Sequence, residues 1–341
     1  MSVRVVNDVE VRRLLPMGEC VDVMRAALMT LARGDAVLPL RTMVRLPDRP
    51  GLLGLMPACL GEPRVMGLKV VTVMPGNHGS EFDAHQGAVL IFEVEQGRLL
   101  AIIDATSVTA IRTAAVSGVA THALAREEAG DLAILGSGVQ AASHLEAMRA
   151  VRTLRRVRVW SRDGANAAGF AARESARHGV RVEVAVSARA AVEGADLVCT
   201  TTSSRQPVLE GAWLAPGAHV NAVGACLRDT RELDAAAVAG SRVYVDRRES
   251  ALNEAGDLLI ARAEGAIGDD HIVGELGDVL LGRAPGRGTP LERTLFKSLG
   301  IAVEDLAAAH HIWRKAEGGD RGIAVELGGR REAVPGAAHR P

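Results

Sequence analysis

The chain has 341 residues, a formal net charge of −1, and 48% hydrophobic but only 2% aromatic residues. This length predicts two domains, and cores built from Ala, Val, Leu and Ile favour an α/β fold with a parallel sheet. The near-neutral charge without a basic run argues against nucleic acid or an anionic membrane surface as partner, and no apolar run approaches the roughly 18 residues that span a bilayer.

The N-terminal ten residues carry too many charges for a secretion signal. The four cysteines are scattered along the chain, so disulfides and structural zinc are not expected, and a cytoplasmic location is predicted. We also find no His, Cys or Asp cluster with metal-ligand spacing and expect no metal.

The first hundred residues predict a block of helix and antiparallel strands. Residues 16–33 have apolar positions at helical spacing, and Gly34 ends the helix. Five short strands are then predicted, at 40–46, 52–56, 67–74, 88–94 and 99–104, with Gln96-Gly97 as the hairpin turn between the last two.

A glycine-rich turn organises the second part of the chain. After a predicted helix at 107–125, residues 132–135 form an apolar run that is typical of a buried parallel strand, and Gly136-Ser-Gly-Val-Gln-Ala141 opens a helix. Gly136 permits the tight turn, Gly138 lets the backbone approach a pyrophosphate, and the helix N-terminus attracts phosphate. Strand and helix on either side favour a dinucleotide site over an ordinary strand-to-helix turn.

Strands and helices alternate from this turn onwards, which predicts a doubly wound parallel sheet of the Rossmann type. We assign 117–300 to this nucleotide-binding domain. Residues 1–116 and 301–330, including a helix at 303–316, are assigned to a second, α+β domain. The tail at 331–341 shows no periodicity and is predicted to be disordered.

The end of the second strand of this sheet bears on which nucleotide binds. An acidic residue there would accept a hydrogen bond from the ribose 2′-hydroxyl and repel a 2′-phosphate. Ser161 and Arg162 come first and would donate to a phosphate, so NADP(H) is the preferred prediction. Asp163 keeps NAD(H) open, and Arg162 is also consistent with a solvated surface cation.

Three basic residues lie among apolar neighbours: Arg45, Lys69 and Arg112. A cation in a low-dielectric environment needs an anionic partner, and a substrate carboxylate could serve. Each residue taken alone is also consistent with a surface position, and strand alternation could place Lys69 in water. Together they favour a cleft between the domains. The lone His85 could line that cleft or be structural.

Several segments resemble the ornithine cyclodeaminase/μ-crystallin family over residues 40–327. The resemblance rests on the following motifs: Gly54-Leu-Met-Pro57, Gly67-Leu-Lys-Val70, Ala110-Ile-Arg-Thr-Ala-Ala115, the glycine turn, Val220-Asn-Ala-Val-Gly-Ala225, Arg231-Glu-Leu-Asp234, Val243-Tyr-Val-Asp246, Ala255-Gly-Asp257 and Phe296-Lys-Ser-Leu-Gly300.

The resemblance implies a homodimer of two-domain subunits in which the domain of residues 1–116 and 301–330 binds substrate and pairs with its partner. It also implies that the predicted catalytic residues Arg45, Lys69 and Arg112 hold a substrate carboxylate beside the nicotinamide. The predicted substrate pocket comprises Arg45, Met56, Lys69, His85, Arg112 and Cys226. The residues predicted to contact the cofactor are Thr113, Gly136, Ser137, Gly138, Val139, Gln140, Ser161, Arg162, Thr201, Val223, Gly224 and Ser298.

Two positions depart from the cyclodeaminases of this family, which are similar to one another in carrying acidic residues there. Cys226 stands where a base for the substrate amine is expected, and Met56 stands at a second acidic position. Cys226 is a poor base unless its pKa is lowered, and such cysteines are commonly small buried hydrophobes. Asp229 lies three residues too late in the loop by direct alignment. These departures favour the branch of the family that reduces ketimines.

The sequence therefore favours an NAD(P)H-dependent reductase of small imino acids, such as 1-pyrroline-2-carboxylate or 1-piperideine-2-carboxylate. For this reaction it suffices that the enzyme orients the substrate and that the cofactor supplies a hydride. Ornithine cyclodeaminase, an alanine-dehydrogenase-like or opine-type oxidoreductase, and a non-enzymatic binding role stay open as alternatives.

Overall fold

Two eight-stranded sheets make up the framework of the computed structural model, which describes residues 2–77 and 80–329. The predicted tail at 331–341 lies outside the described residues. The strands are β1 (Ser2–Val6), β2 (Ala36–Val37), β3 (Thr42–Arg45), β4 (Leu52–Leu60), β5 (Val65–Val73), β6 (His85–Phe92), β7 (Leu99–Asp104), β8 (Asp131–Leu135), β9 (Arg156–Trp160), β10 (Val182–Val184), β11 (Leu197–Thr200), β12 (His219–Ala222), β13 (Arg242–Val245), β14 (Ile272–Glu275), β15 (Thr294–Lys297) and β16 (Ile323–Glu326).

Eleven α-helices of the described residues cover these sheets. They are α1 (Asp8–Leu14), α2 (Met17–Ala32), α3 (Ala105–Leu124), α4 (Val139–Val151), α5 (Gly164–His178), α6 (Ala188–Val192), α7 (Ala235–Ala239), α8 (Arg248–Glu254), α9 (Gly256–Ala263), α10 (Leu276–Leu280) and α11 (Ala302–Gly318).

The first sheet has the order β16-β1-β7-β6-β5-β4-β2, with β3 also paired to β4. All five predicted strands are present. The prediction of a purely antiparallel block is wrong at one point, because β1 pairs with β7 in parallel. The sequence analysis did not predict β1 or β16, which are short strands brought together from the two ends of the described chain.

The two faces of the first sheet have different environments. Met56, Lys69 and Val89 are paired across β4, β5 and β6 and are all buried on the face toward the helices. Their neighbours along the strands, such as Leu68 and Leu90, point to the opposite face and keep partial exposure. This alternation places Lys69 in the protein interior, which excludes the alternative that its side chain lies in water.

The second sheet is entirely parallel, with the order β10-β9-β8-β11-β12-β15-β13-β14. Its first five positions follow the order of a doubly wound nucleotide-binding sheet, so the predicted fold class is confirmed. Successive strands are added on one side of β8 up to β10 and on its other side from β11 onwards. Ligands of such sheets bind at this switch point, outside the carboxyl ends of the strands.

Helices α3 and α11 connect the two sheets. Asp104 caps α3 by accepting hydrogen bonds from the N–H groups of Thr106 and Ser107, at 3.3 and 2.8 Å. The helix then runs unbroken through the predicted domain boundary at 116/117. Helix α11 returns from the second sheet to pack on α2, β4 and β5 of the first. Residues of both helices therefore reach the junction between the sheets.

Candidate active site between the two sheets

The glycine turn after β8 has an open shape. Gly136 has a φ of +119°, and a Cβ there would lie 2.8 Å from Thr201 Oγ1, so a side chain is excluded by both conformation and space. No described heavy atom lies within 4 Å of a Cβ built on Gly138. Helix α4 follows with no side-chain hydrogen bond to its first N–H groups, and Val139 in its first turn is 57% exposed.

Two buried polar atoms near this edge lack a partner among the described residues: Gln140 Oε1 and Ser298 Oγ. Buried polar groups are normally hydrogen-bonded, so each marks a place for a missing ligand or water. The backbone oxygen of Gln140 lies 2.7 Å from Nδ1 of the buried His144, which fixes the first turn of α4. The turn, the free helix terminus and the orphaned atoms together fit a dinucleotide.

The polar residues that follow β9 differ in their hydrogen-bond partners. Asp163 is the N-cap of α5 and accepts hydrogen bonds from the N–H groups of Ala165 and Asn166, at 2.8 and 3.4 Å. Its carboxylate is therefore already engaged at the helix terminus. Arg162 is exposed and makes no hydrogen bond or ion pair with any residue in 2–77 or 80–329, and Ser161 is half-buried beside it.

Lys69 and Arg112 lie in one buried ionic cluster with two carboxylates of α11. Lys69 Nζ is 2.8 Å from Asp305 Oδ2 and 3.4 Å from Thr109 Oγ1. Arg112 Nε is 2.7 Å from Asp305 Oδ1, and its Nη1 is 2.9 Å from Glu304 Oε2. The anionic partners that the buried cations require are thus supplied, at least in part, by the protein itself.

The pKa shifts of this cluster follow from burial and pairing. Burial lowers the pKa of Lys69 to about 8, against the opposing effect of Asp305. Burial also raises the pKa of Glu304 to about 8, although Arg112 works to lower it. For Asp305 the attraction of Arg112 and Lys69 outweighs burial, and its pKa is lowered. At neutral pH the two cations therefore lie beside the ionised Asp305, and Glu304 takes up a proton more readily than an exposed glutamate.

The structure does not bring Arg45 and His85 to this cluster. Arg45, Leu52, Val73 and His85 form one row across strands β3 to β6, four residues along the sheet from the row of Lys69. At about 3.3 Å per residue, the two rows are roughly 13 Å apart. Arg45 and His85 are both exposed. The register of the sheet, which the local sequence does not reveal, determines this separation.

Arg41, and not the predicted Arg45, is a third cation near this cluster. Its Nε donates to Glu254 Oε2 at 2.8 Å, and its Nη2 donates to the carbonyl of Leu299 at 3.3 Å. Arg41 lines a small cavity with Met56, which is the cross-strand partner of Lys69, so the two cations lie near one another. Sequence analysis missed Arg41 because it precedes β3 in a Pro-Leu-Arg loop without an apolar pattern.

Met56 and Arg41 line the same small cavity, together with Glu254 and the backbone at 300–302. Cys226 is half-buried, and its Sγ donates to the carbonyl of Val223 at 3.3 Å. Burial raises the pKa of the Cys226 thiol, although Lys297 and Arg41 act to lower it. Thr113 is buried on α3, one residue after Arg112.

Buried carboxylates behind the strand ends also escaped the sequence analysis. Asp246 accepts from the N–H groups of Leu299 and Gly300, at 2.7 and 2.8 Å. Glu232 accepts from residues at the ends of β11 and β12, and Asp257 lies 2.9 Å from Lys297 Nζ. All three carboxylates belong to motifs on which the family resemblance rests, but the sequence analysis assigned no role to them.

The part of the chain at 2–77 and 80–329 contains no group of three or more His, Cys, Asp or Glu residues placed to hold a metal ion. No helix in these ranges is long and apolar enough to cross a membrane.

A parallel sheet of the Rossmann type with an open glycine turn, joined through α3 to a second sheet, defines a dinucleotide-binding α/β protein. The chain belongs to the ornithine cyclodeaminase/mu-crystallin family, whose model matches residues 1–320. The family prediction is confirmed.

Three known proteins show the range of this similarity. Ketimine reductase mu-crystallin of Mus musculus is 40% identical over 85% of this chain and 90% of its own. The structure of Thermococcus litoralis Delta(1)-pyrroline-2-carboxylate reductase with NADH and L-proline has a TM-score of 0.92 and 35% identity, over 95% of this chain and all of that one. An archaeal alanine dehydrogenase dimer with bound NAD has a TM-score of 0.90 and 30% identity, over 96% and 100%.

Proposed function

We propose that this protein is an NAD(P)H-dependent reductase that converts 1-pyrroline-2-carboxylate or 1-piperideine-2-carboxylate to L-proline or L-pipecolate. The observation that carries the proposal is the buried cluster of Lys69 and Arg112, with Arg41 beside it, at the edge of a dinucleotide-binding sheet. The similarity to a ketimine reductase and to a pyrroline-2-carboxylate reductase that binds NADH and L-proline supports it.

The charges of the cluster suit a substrate with one carboxylate. Lys69 and Arg112 carry two positive charges beside Asp305, and the raised pKa of Glu304 favours its neutral form, so the cluster can accept one more negative charge. One carboxylate would neutralise the remaining charge. Arginine and lysine would hold it by charge-assisted hydrogen bonds and so orient the C=N carbon.

The residues of the second domain fit a nicotinamide dinucleotide, which when bound supplies the hydride. Ser137, Val139 and Gln140 would contact its phosphates and ribose at the glycine turn. The nicotinamide would be bordered by Thr201, Val223, Gly224 and Ser298, and by Thr113 of α3, which precedes the predicted domain boundary. We propose NADP(H) as the preferred form, because Arg162 is exposed and unpaired among the described residues while Asp163 is committed to capping α5.

Imine reduction makes small demands on acid–base residues, since a ketimine can take up its proton in solution before it binds. Cyclodeamination requires a base for the substrate amine. Cys226 has a raised pKa and is a poor base. Asp229, the acid of that loop closest in sequence to Cys226, lies 2.6 Å from Arg205 at the surface, with side chains 66% and 69% exposed. The geometry therefore favours the reductase over ornithine cyclodeaminase.

A steady-state screen tests this assignment. We expect NADPH oxidation with pyrroline-2-carboxylate or piperideine-2-carboxylate and weaker turnover with NADH. Ammonia release from L-ornithine with catalytic NAD would instead establish the cyclodeaminase, and reduction of NAD by L-alanine would establish an alanine-dehydrogenase-like activity. Absence of turnover with both imines would contradict the proposal.

The open face of the first sheet supports a homodimer. Leu55, Leu68, Leu90 and Ile102 lie on the face away from the helices and remain partly exposed. A second copy could bury them, as expected for an apolar patch of this kind. Light scattering should then give about 72 kDa, twice the chain mass of 35.8 kDa, and a Leu68→Asp, Leu90→Asp double variant should be monomeric. We keep the cytoplasm as the predicted location.

A further inference from the structure

A single buried carboxylate joins the ends of two neighbouring strands in the second sheet. Glu232 is fully buried. Its Oε1 accepts from the N–H and the hydroxyl of Thr202, at 2.6 and 2.7 Å. Its Oε2 accepts from the hydroxyl of Thr200 at 2.8 Å and from the N–H of Gly224 at 2.6 Å. Each oxygen accepts two hydrogen bonds, which suits an ionised carboxylate, although burial and the charge of Asp257 raise the pKa of Glu232.

The four donors lie where β11 and β12 lead into the two loops that border the proposed nicotinamide site. Thr200 ends β11 and Thr202 follows in the loop, while Gly224 follows Val223 after β12. The two loops are nearly in contact, since a Cβ on Gly224 would lie 2.0 Å from the carbonyl oxygen of Thr202. Glu232 therefore fixes the spacing of these loops while its own side chain lies behind them.

A second carboxylate supports Glu232 from behind. Asp257 Oδ1 accepts from the N–H groups of Glu232 and Leu233, at 2.7 and 3.0 Å. Its Oδ2 lies 2.9 Å from Nζ of Lys297, and both of these side chains are fully buried. Lys297 directly precedes Ser298 at the end of β15. The cluster thus connects three adjacent strand ends, β11, β12 and β15, to one network of charges.

We propose that Glu232 is a positioning residue for the nicotinamide end of the cofactor. It acts through the backbone at 200–202 and 223–224. The adenosine half would be held by the glycine turn and by Arg162, at the opposite side of the switch point, and does not depend on Glu232. The inference rests on the proposed function only for the identity of the imine, because the binding of nucleotides to the protein can be measured without a substrate.

Glu232→Gln is the direct test. An amide nitrogen would face two of the four donors, and the loops would separate. We expect faster backbone amide hydrogen exchange at 200–204 and 223–226 in the cofactor-free protein. Hydride transfer from 4-deuterated NADPH, followed in single turnovers, should be about 10- to 100-fold slower because small misplacements cost this much. Affinity for adenosine 2′,5′-bisphosphate, which lacks nicotinamide, should change less than twofold, while NADPH should bind more weakly.

Asp196→Asn is the matched control. Asp196 lies just before the other end of β11 and accepts from the N–H groups of Gly130 and Asp131, at 3.0 and 3.1 Å. The Asp196→Asn variant should have a lower melting temperature. Its backbone amide hydrogen exchange at 200–204, and the ratio of its affinities for NADPH and for the bisphosphate, should be unchanged. Thr200→Val removes one donor and keeps the shape, and it should reproduce the Glu232→Gln effects more weakly if that variant folds poorly.

Unchanged exchange and unchanged NADPH affinity in both Glu232→Gln and Thr200→Val would overturn the proposal. Equal effects in Asp196→Asn would also overturn it, because the role of Glu232 would then be general stability. If no imine is turned over by the wild-type enzyme, the exchange and nucleotide-binding measurements still decide the role of Glu232 independently of the proposed reaction.

Discussion

The two halves of the proposed active site differ in the chemical groups that form them. The cofactor half consists of backbone at the ends of parallel strands, with carboxylates such as Glu232 and Asp246 buried behind it. The substrate half consists of charged side chains, Lys69 and Arg112, whose charges exceed that of Asp305. Substitutions in the cofactor half should therefore change the binding and positioning of the nucleotide, and those in the substrate half should change the affinity for carboxylates.

The largest expected effect separates Arg41 from Arg45. Arg41→Ala should lower kcat/KM for the imino acid about 100-fold or more, mostly through KM, since loss of a buried charged partner costs roughly 2–5 kcal/mol. Arg45→Ala should stay within about twofold of wild type, as expected of exposed substitutions. Steady-state kinetics with saturating NADPH measures both. The reverse order would restore Arg45 to the pocket and remove Arg41.

The next effect tests the cofactor half. Arg162→Ala should weaken NADPH binding about 10- to 100-fold, because a hydrogen bond to a charged group contributes roughly 1.5–3 kcal/mol, and NADH binding should be nearly unchanged. The neighbouring Asp163→Ala variant serves as control. Loss of the N-cap should destabilise the protein by about 1 kcal/mol without altering the preference. Equal losses for both nucleotides in Arg162→Ala would end the assignment to NADP(H).

The pH dependence of carboxylate binding should distinguish the halves again. Below pH 8, Lys69 is charged and Glu304 neutral, so the cluster attracts an anion; above pH 8, Lys69 loses its proton and Glu304 ionises, so the cluster repels one. The inhibition constant of pyrrole-2-carboxylate, whose ring does not titrate in this range, should rise about tenfold or more per pH unit above 8. A flat profile to pH 10 would contradict the charge assignment, and NADPH affinity provides the internal reference.

The smallest effect is expected at Cys226. Because burial raises the pKa of its thiol and its Sγ donates to the Val223 carbonyl, we expect no role in proton transfer. Cys226→Ala should leave kcat for imine reduction within about threefold, in line with the small cost of conservative changes away from the chemistry. A loss of a hundredfold, with a changed pH profile, would show that the thiol supplies the proton.

The cofactor half could be predicted from the sequence because its signal is local. Gly136, Gly138 and the strand and helix around them lie within about twenty consecutive residues, and the physical reasons for each residue act over the same short range. The position of Asp163 depended on where α5 begins, and this boundary became clear only from its hydrogen bonds.

The substrate half could be predicted only in part, because its residues meet through long-range packing. Lys69 was identified from its apolar neighbours, but its partner Asp305 lies on α11, more than two hundred residues later. Arg45 and Arg41 are separated by four residues and have opposite environments. The register of β3 against β4 places Arg45 far from Lys69. A shift of register moves side chains by several ångströms without a change in local pattern.

The most direct test of the central claim is a crystal structure of the protein with NADP⁺ and pyrrole-2-carboxylate. We predict that the carboxylate lies within about 3 Å of nitrogen atoms of Arg41, Lys69 or Arg112, the usual hydrogen-bond distance, with the pyrophosphate at the glycine turn after β8. An inhibitor bound away from all three cations, or a nucleotide seated elsewhere, would contradict it.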